Sequence, residues 1–216
     1  MLTRAMVRNN GAVNAATAGN RVLEQLAIAA IDGDDAALPV AAILAGVINR
    51  TGTTGNTADV LPSADAIIAA LPELSVGDAF EFAIRMNLAH TETLTLGTGI
   101  IAGTGTLTIA ASSIRHYLLT LLSGPSRAVA LACSTISTGV AAVNKVISNL
   151  PVGYVEDLSV GMGVTGTGIP ASSYITAVNV TNNTVTINAE ATATGDNVAL
   201  SFFPRFSLST LGTHGI

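Results

Sequence analysis

The sequence predicts a mainly β protein, built as two β-sandwich or barrel-like modules with a short N-terminal helical arm and one short internal helix. Three observations carry that expectation. Most apolar runs alternate apolar and polar residues with period two, the pattern of half-buried strands. Glycine-rich turn signals interrupt these runs every 8–12 residues or so, the spacing of sandwiches and barrels. The pair Asn182-Asn183, between VNVT and TVTIN, is a tight-hairpin signal, because Asn tolerates positive φ.

Residues 1–36 read as an arm. Within it, 21–31 (RVLEQLAIAAI) places Val22, Leu23, Leu26, Ala29 and Ala30 near one helical face, with Asn20 as N-cap. A helix this short is marginal alone, so docking on another surface is expected. Asp32-Gly33-Asp34-Asp35 ends it. That acidic cluster lacks the spacing and distal Glu of a calcium loop, and a solvated turn is the preferred reading.

Residues 37–135 form the expected first module, with a jelly-roll arrangement left open. Ile43–Asn49 is a strand candidate and 51–56 (TGTTGN) a loop. A short helix over 64–71 follows, with Ser63 as N-cap, Asp65 favourable in the first turn and Pro72 as its stop. Strands are then expected over 79–86 (AFEFAIRM), 91–96, 105–110, 114–122 and 128–134. Residues 136–204 form a second, smaller module, with strands over 140–148, 173–180, 184–189 and 198–203. Residues 205–216 read as a tail whose Phe206, Leu208 and Leu211 dock on a neighbour.

Composition narrows function. Charged residues make up 11% of the 216, against about 25% in ordinary soluble proteins. Thr, Ser, Asn and Gly must cover the surface instead, and such groups cost far less to desolvate than ions. A surface of this kind suits burial against other subunits. The net charge of −5 and nine dispersed basic residues argue against nucleic-acid binding, which needs phosphate-neutralising side chains on one face. The longest apolar stretch, 36–48, contains Pro39 and Gly46 and falls short of the ~20 residues that span a bilayer. No membrane role and no secretory leader are expected, since no apolar segment follows Arg4 and Arg8.

No catalytic, cofactor-binding or metal site is expected from the residues that could carry chemistry. Cys133 lies in an apolar run without a basic neighbour, which suits a buried inert thiol. The stretch 161–166 (GMGVTG) matches GxGxxG, but that motif works only between a strand and a helix N-terminus, and Gly168-Ile169-Pro170 leads into a β-patterned run. His90, His116 and His214 lack zinc-ligand spacing, and no GxSxG elbow accompanies them. Glu81, Glu92, Glu156 and Asp157 could supply paired carboxylates for glycoside cleavage, yet the chain has no Trp for a sugar platform. The sequons at Asn179 and Asn182 fall in the expected hairpin and read as coincidental.

Two stretches carry a resemblance. Residues 50–122 contain a leucine-proline turn, a short Ala/Ile helix, the run VGDAFEFAIRMN, and the strands TLTLGTG and GTLTIA. Residues 157–203 contain GMGVTGTGIPASSYITAV and ATATGDNVALSF. Both resemble β-modules of virion structural proteins from tailed bacteriophages, of the capsid-decoration (cement) and fibre types. The first departs from its pattern at Met86-Asn87-Leu88, where a polar Asn-Thr pair is usual. The resemblance implies a non-enzymatic homo-oligomer, preferably a trimer, made in the host cytoplasm and carried on the capsid surface against the major capsid protein. It brings no catalytic residue. A tail or head fibre involved in host attachment is the alternative.

Overall fold

The computed structural model describes residues 27–124, 127–135, 145–193 and 195–215. The chain is mainly β and divides into two compact units. The first comprises residues 1–121 and 206–216, and the second comprises 122–205. The second unit is therefore an insertion between two strands of the first.

In the first unit the elements run β1 (Ala27–Asp32), α1 (Val40–Ala45), β2 (Gly46–Thr51), β3 (Thr57–Val60), α2 (Ala64–Ala70), β4 (Ala79–Met86), β5 (Glu92–Thr95), β6 (Ile100–Ala102), β7 (Thr108–Ile109) and β8 (Ser113–Leu121). The second unit contributes β9 (Arg127–Thr135), β10 (Val146–Ser148), a 3-10 turn (Val155–Asp157), β11 (Gly163–Gly166), β12 (Ile175–Asn179), β13 (Thr184–Ile187) and β14 (Gly195–Phe203). The chain then returns to the first unit as β15 (Phe206–Gly215).

A six-stranded sheet in the order β1-β2-β4-β8-β15-β6 forms one layer of the first unit, and a three-stranded sheet β3-β5-β7 forms another. Pairing in the larger sheet is mixed: β1, β2 and β4 run parallel, β8 is antiparallel to β4 and β15, and β6 is parallel to β15. A jelly roll is antiparallel throughout, so these parallel pairs set the unit apart from one. The β4 pattern states the logic of the layers. Phe80, Phe82, Ile84 and Met86 face inward, while Glu81 and Arg85 face out. The inward set joins Leu94, Ile109, Tyr117, Leu119, Phe206, Leu208 and the helix residues Ile43 and Ile67 in one core. Phe82 and Tyr117 stack there with ring centroids 5.3 Å apart.

The second unit has its own core, from Ile147, Leu150, Val155, Met162, Val164, Ile175, Val185, Ile187, Leu200 and Phe202. Its strands follow the order β11-β14-β9-β10-β13-β12. The two ends of that sheet meet. Gly163 bridges Tyr174, Val164 N–H donates to the Ser173 carbonyl, and Ile175 N–H donates to the Met162 carbonyl. The two ends of the sheet thus join at this point, barrel-like, which shortens its open edges.

Several expectations fail, each for a tertiary reason. The arm helix over 21–31 is replaced, from Ala27 onward, by β1; residues before 27 lie outside the described ones. β1 pairs in parallel register with β2, Ala27 opposite Gly46 through Asp32 opposite Thr51, and its Ala29 and Ile31 pack on the core. Sheet pairing overrides a helical pattern of this length. The strand expected over Ile43–Asn49 is split. α1 ends at Gly46, whose φ of 97° closes the helix and starts β2. The strand expected over 128–134 is β9, which belongs to the second unit rather than the first. The tail expected over 205–216 is, from Phe206, the strand β15, paired along β8 with Phe206 and Leu208 buried. Most of the strand expected over 140–148 lies outside the described residues; β10 is its end.

Other expectations hold. The 79–86 strand has the expected bounds. α2 starts after Ser63, whose hydroxyl accepts from Ala66 N–H, with Asp65 in its first turn. The Asn182-Asn183 hairpin joins β12 to β13, with Asn183 at φ 52° and the Asn179 side chain accepting from Asn182 N–H.

Candidate functional site

Two side-chain clusters in the first unit have geometry beyond ordinary packing. One is wholly buried, the other lies on the outer face of the larger sheet.

The buried cluster follows from strand register. The inward face of β2 carries Gly46, Ile48 and Arg50, so a charge sits where an apolar residue is expected. β3 and β5 are parallel, with Thr57 opposite Glu92, and their inward positions are Thr57 and Asp59 on β3 and Glu92 and Leu94 on β5. Arg50 Nε therefore lies 2.7 Å from Asp59 Oδ2 and 3.3 Å from Glu92 Oε2, and all three side chains are fully enclosed. The Nε–Oδ2 approach is a close charge contact rather than an aligned hydrogen bond. Aligned bonds come from the terminal nitrogens: Nη1 donates to the Ile31 carbonyl, and Nη2 to the Gly33 carbonyl and to Asp59 Oδ1. Asp59 Oδ1 also accepts from Ala36 N–H.

Burial pushes the Glu92 carboxyl up to about 8; the neighbouring Asp59 charge adds to the effect, and Arg50 opposes it. At neutral pH Glu92 is thus mostly a neutral acid, and one carboxylate balances one guanidinium. Enclosure leaves no path for a substrate to these carboxyls. What the cluster can do is clamp the chain after β1 onto β2 and β3.

Glu81, His116 and His214 form the second cluster. Glu81 is on β4, His116 on β8 opposite Ala83 and Gly212, and His214 on β15 opposite Ile114. His116 Nδ1 lies 2.7 Å from Glu81 Oε1, and the two imidazole rings are 6.0 Å apart, centroid to centroid, at 82°. Sequence reasoning placed His214 in a tail and left the three apart. Only the pairing of β15 with β8 brings them together.

The remaining candidates stay scattered. Glu81 and Glu92, weighed as a carboxylate pair, have different partners and different surroundings, one half-exposed and one enclosed. Glu156 and Asp157 sit in the 3-10 turn of the second unit. Cys133 is on β9. The acidic turn keeps its three carboxylates exposed: Asp34 accepts from Thr54 N–H and hydroxyl, and Asp35 from Ala58 N–H. The Thr54 bonds hold the Asp34 carboxyl below its usual range. The GxGxxG match has β11 over its last four residues, and its glycines have steric reasons. Gly161 adopts φ +96°, and the Phe203 ring fills the space a Gly163 Cβ would need. Among the described residues, no group of three or more His, Cys, Asp or Glu side chains is arranged to hold a metal ion, and no helix is long and apolar enough to cross a membrane.

No family model, no curated protein and no solved structure matches the chain.

Proposed function

We propose that the chain is a virion structural protein, a capsid decoration (cement) protein that self-associates and stabilises the shell by binding the major capsid protein. The observation that carries the reading is the scarcity of surface charge. Of 23 charged residues (9 basic plus 14 acidic), Arg50, Asp59, Asp78 and Glu92 are buried among the described residues, which leaves at most 19 for the surface. Around a central group of Glu81, Arg85, His116 and His214, the outward side of the larger sheet presents Ile28, two-thirds exposed, with Ala30, Val47, Asn49, Ile114, Leu118, Ser207 and Ser209. The uncharged part of this face loses little on desolvation and gains apolar burial when covered. The likeness of 50–122 and 157–203 to phage β-modules supplies the setting, and multivalent attachment to a symmetric shell turns weak contacts into avidity.

Quantitative mass spectrometry of purified particles tests this. Cement duty requires copies in proportion to the major capsid protein. A few copies per particle would point to the fibre reading, and absence from particles would sink both.

A further inference from the structure

We infer that His116 and His214 form an open two-imidazole site for a borderline divalent metal ion of the zinc or nickel class, oriented by Glu81. The site shares the outer sheet face with Ile114 and Leu118, and the inference is drawn for the free chain without resting on the assembly role.

The first support is the orientation of His116. Its Nδ1 is 2.7 Å from Glu81 Oε1, so Nδ1 carries the hydrogen and donates it to the carboxylate. In the neutral ring the lone pair is then on Nε2, the tautomer a metal needs. A carboxylate behind the non-ligating nitrogen is the usual way a histidine ligand is aimed and made more basic. The second support is spacing. Two imidazoles that share one tetrahedral ion at Zn–N distances near 2.0–2.1 Å have ring centroids about 5 Å apart; these lie at 6.0 Å, and a small side-chain rotation brings them together.

The sheet builds this spacing. The register shifts between Thr210 and Gly212 of β15, so that His116 faces Gly212, which has no side chain. His214, two residues on, comes to the diagonal position beside His116. Both rings are accessible: His116 is 34% exposed and His214 is exposed. The same register puts Arg85, also outward, in one row with Ile114 and His214. That charge weakens cation binding but supplies no competing ligand. With two protein donors the remaining positions fall to water, and imidazole donors favour zinc, nickel and copper over magnesium or calcium.

Isothermal titration of the full chain with zinc chloride, repeated with nickel chloride, tests the site. One ion per chain is expected. His116→Gln and His214→Gln should each weaken binding by about tenfold or more, and Glu81→Gln, which leaves both donors in place, by about tenfold. Copper(II) bound to the wild type should show two nitrogen couplings in its electron paramagnetic resonance spectrum, and one in either histidine variant. The substitutions are on an exposed face, and circular dichroism checks that the variants remain folded. No binding by the wild type, or unchanged affinity in either histidine variant, would overturn the inference. The second result would place the ion elsewhere, for example at the Asp32–Asp35 turn.

Discussion

Arg50 Nε approaches Asp59 Oδ2 at 2.7 Å with neither side chain exposed. This contact joins the large sheet to the small one through charge rather than through apolar packing. Through Nη1 and Nη2 it also holds the carbonyls of Ile31 and Gly33, where the chain leaves β1. Buried ion pairs are weak sources of net stability, but removing one partner strands the other. Arg50→Met should therefore destabilise the first unit by about 3–5 kcal/mol. Urea unfolding followed by circular dichroism measures this. A loss of well under 1 kcal/mol would show that Asp59 finds another partner.

Glu92 gives stability a pH dependence of known sign. Its carboxyl is raised from 4.5 to about 8 on folding, so the folded chain keeps a proton that the unfolded chain releases. The contribution is complete below pH 4.5 or so and declines as pH rises. It is gone above about 8, with a slope of up to about 1.4 kcal/mol per pH unit within the window. Glu92→Gln keeps a neutral hydrogen-bonding group and should flatten the decline, so that the variant gains on the wild type as the medium becomes alkaline. Unfolding midpoints across that window provide the check; parallel profiles for the two proteins would contradict the assignment.

β15 is expected to be indispensable to the first unit. Phe206 is wholly buried, and its strand pairs with both β8 and β6. Phe206→Ala should cost about 3–5 kcal/mol. Limited proteolysis then separates the units: cleavage should rise within 27–121 and not within 122–205. Even cleavage across both would mean that they unfold together.

How much of this was legible in the sequence depends on whether local pattern or distant pairing decided the outcome. β4 was legible because Phe80, Phe82, Ile84 and Met86 alternate strictly with less apolar residues. The 182–183 turn was legible because hairpin chemistry is local. β15 was not, because beyond Leu208 it reads STLGTHG, small and polar, and it holds its place through β8, a partner some 90 residues earlier. β1 was misread because Ala and Ile serve a helix face and a strand equally well over so few residues. The buried cluster was missed because Arg50, Asp59 and Glu92 come from three separate strands. A signal did exist: each stands at an inward period-two position, Arg50 after Ile48, Asp59 after Thr57 and Glu92 before Leu94. A charge in such a position calls for a buried counter-charge, and the chain has few charges from which to choose.

Self-association is the claim on which the assembly role depends, and light scattering coupled to gel filtration tests it most directly. At micromolar concentration the full chain should elute as one species at three times its 21.7 kDa mass, unchanged on moderate dilution. A stable 21.7 kDa monomer throughout that range would contradict it.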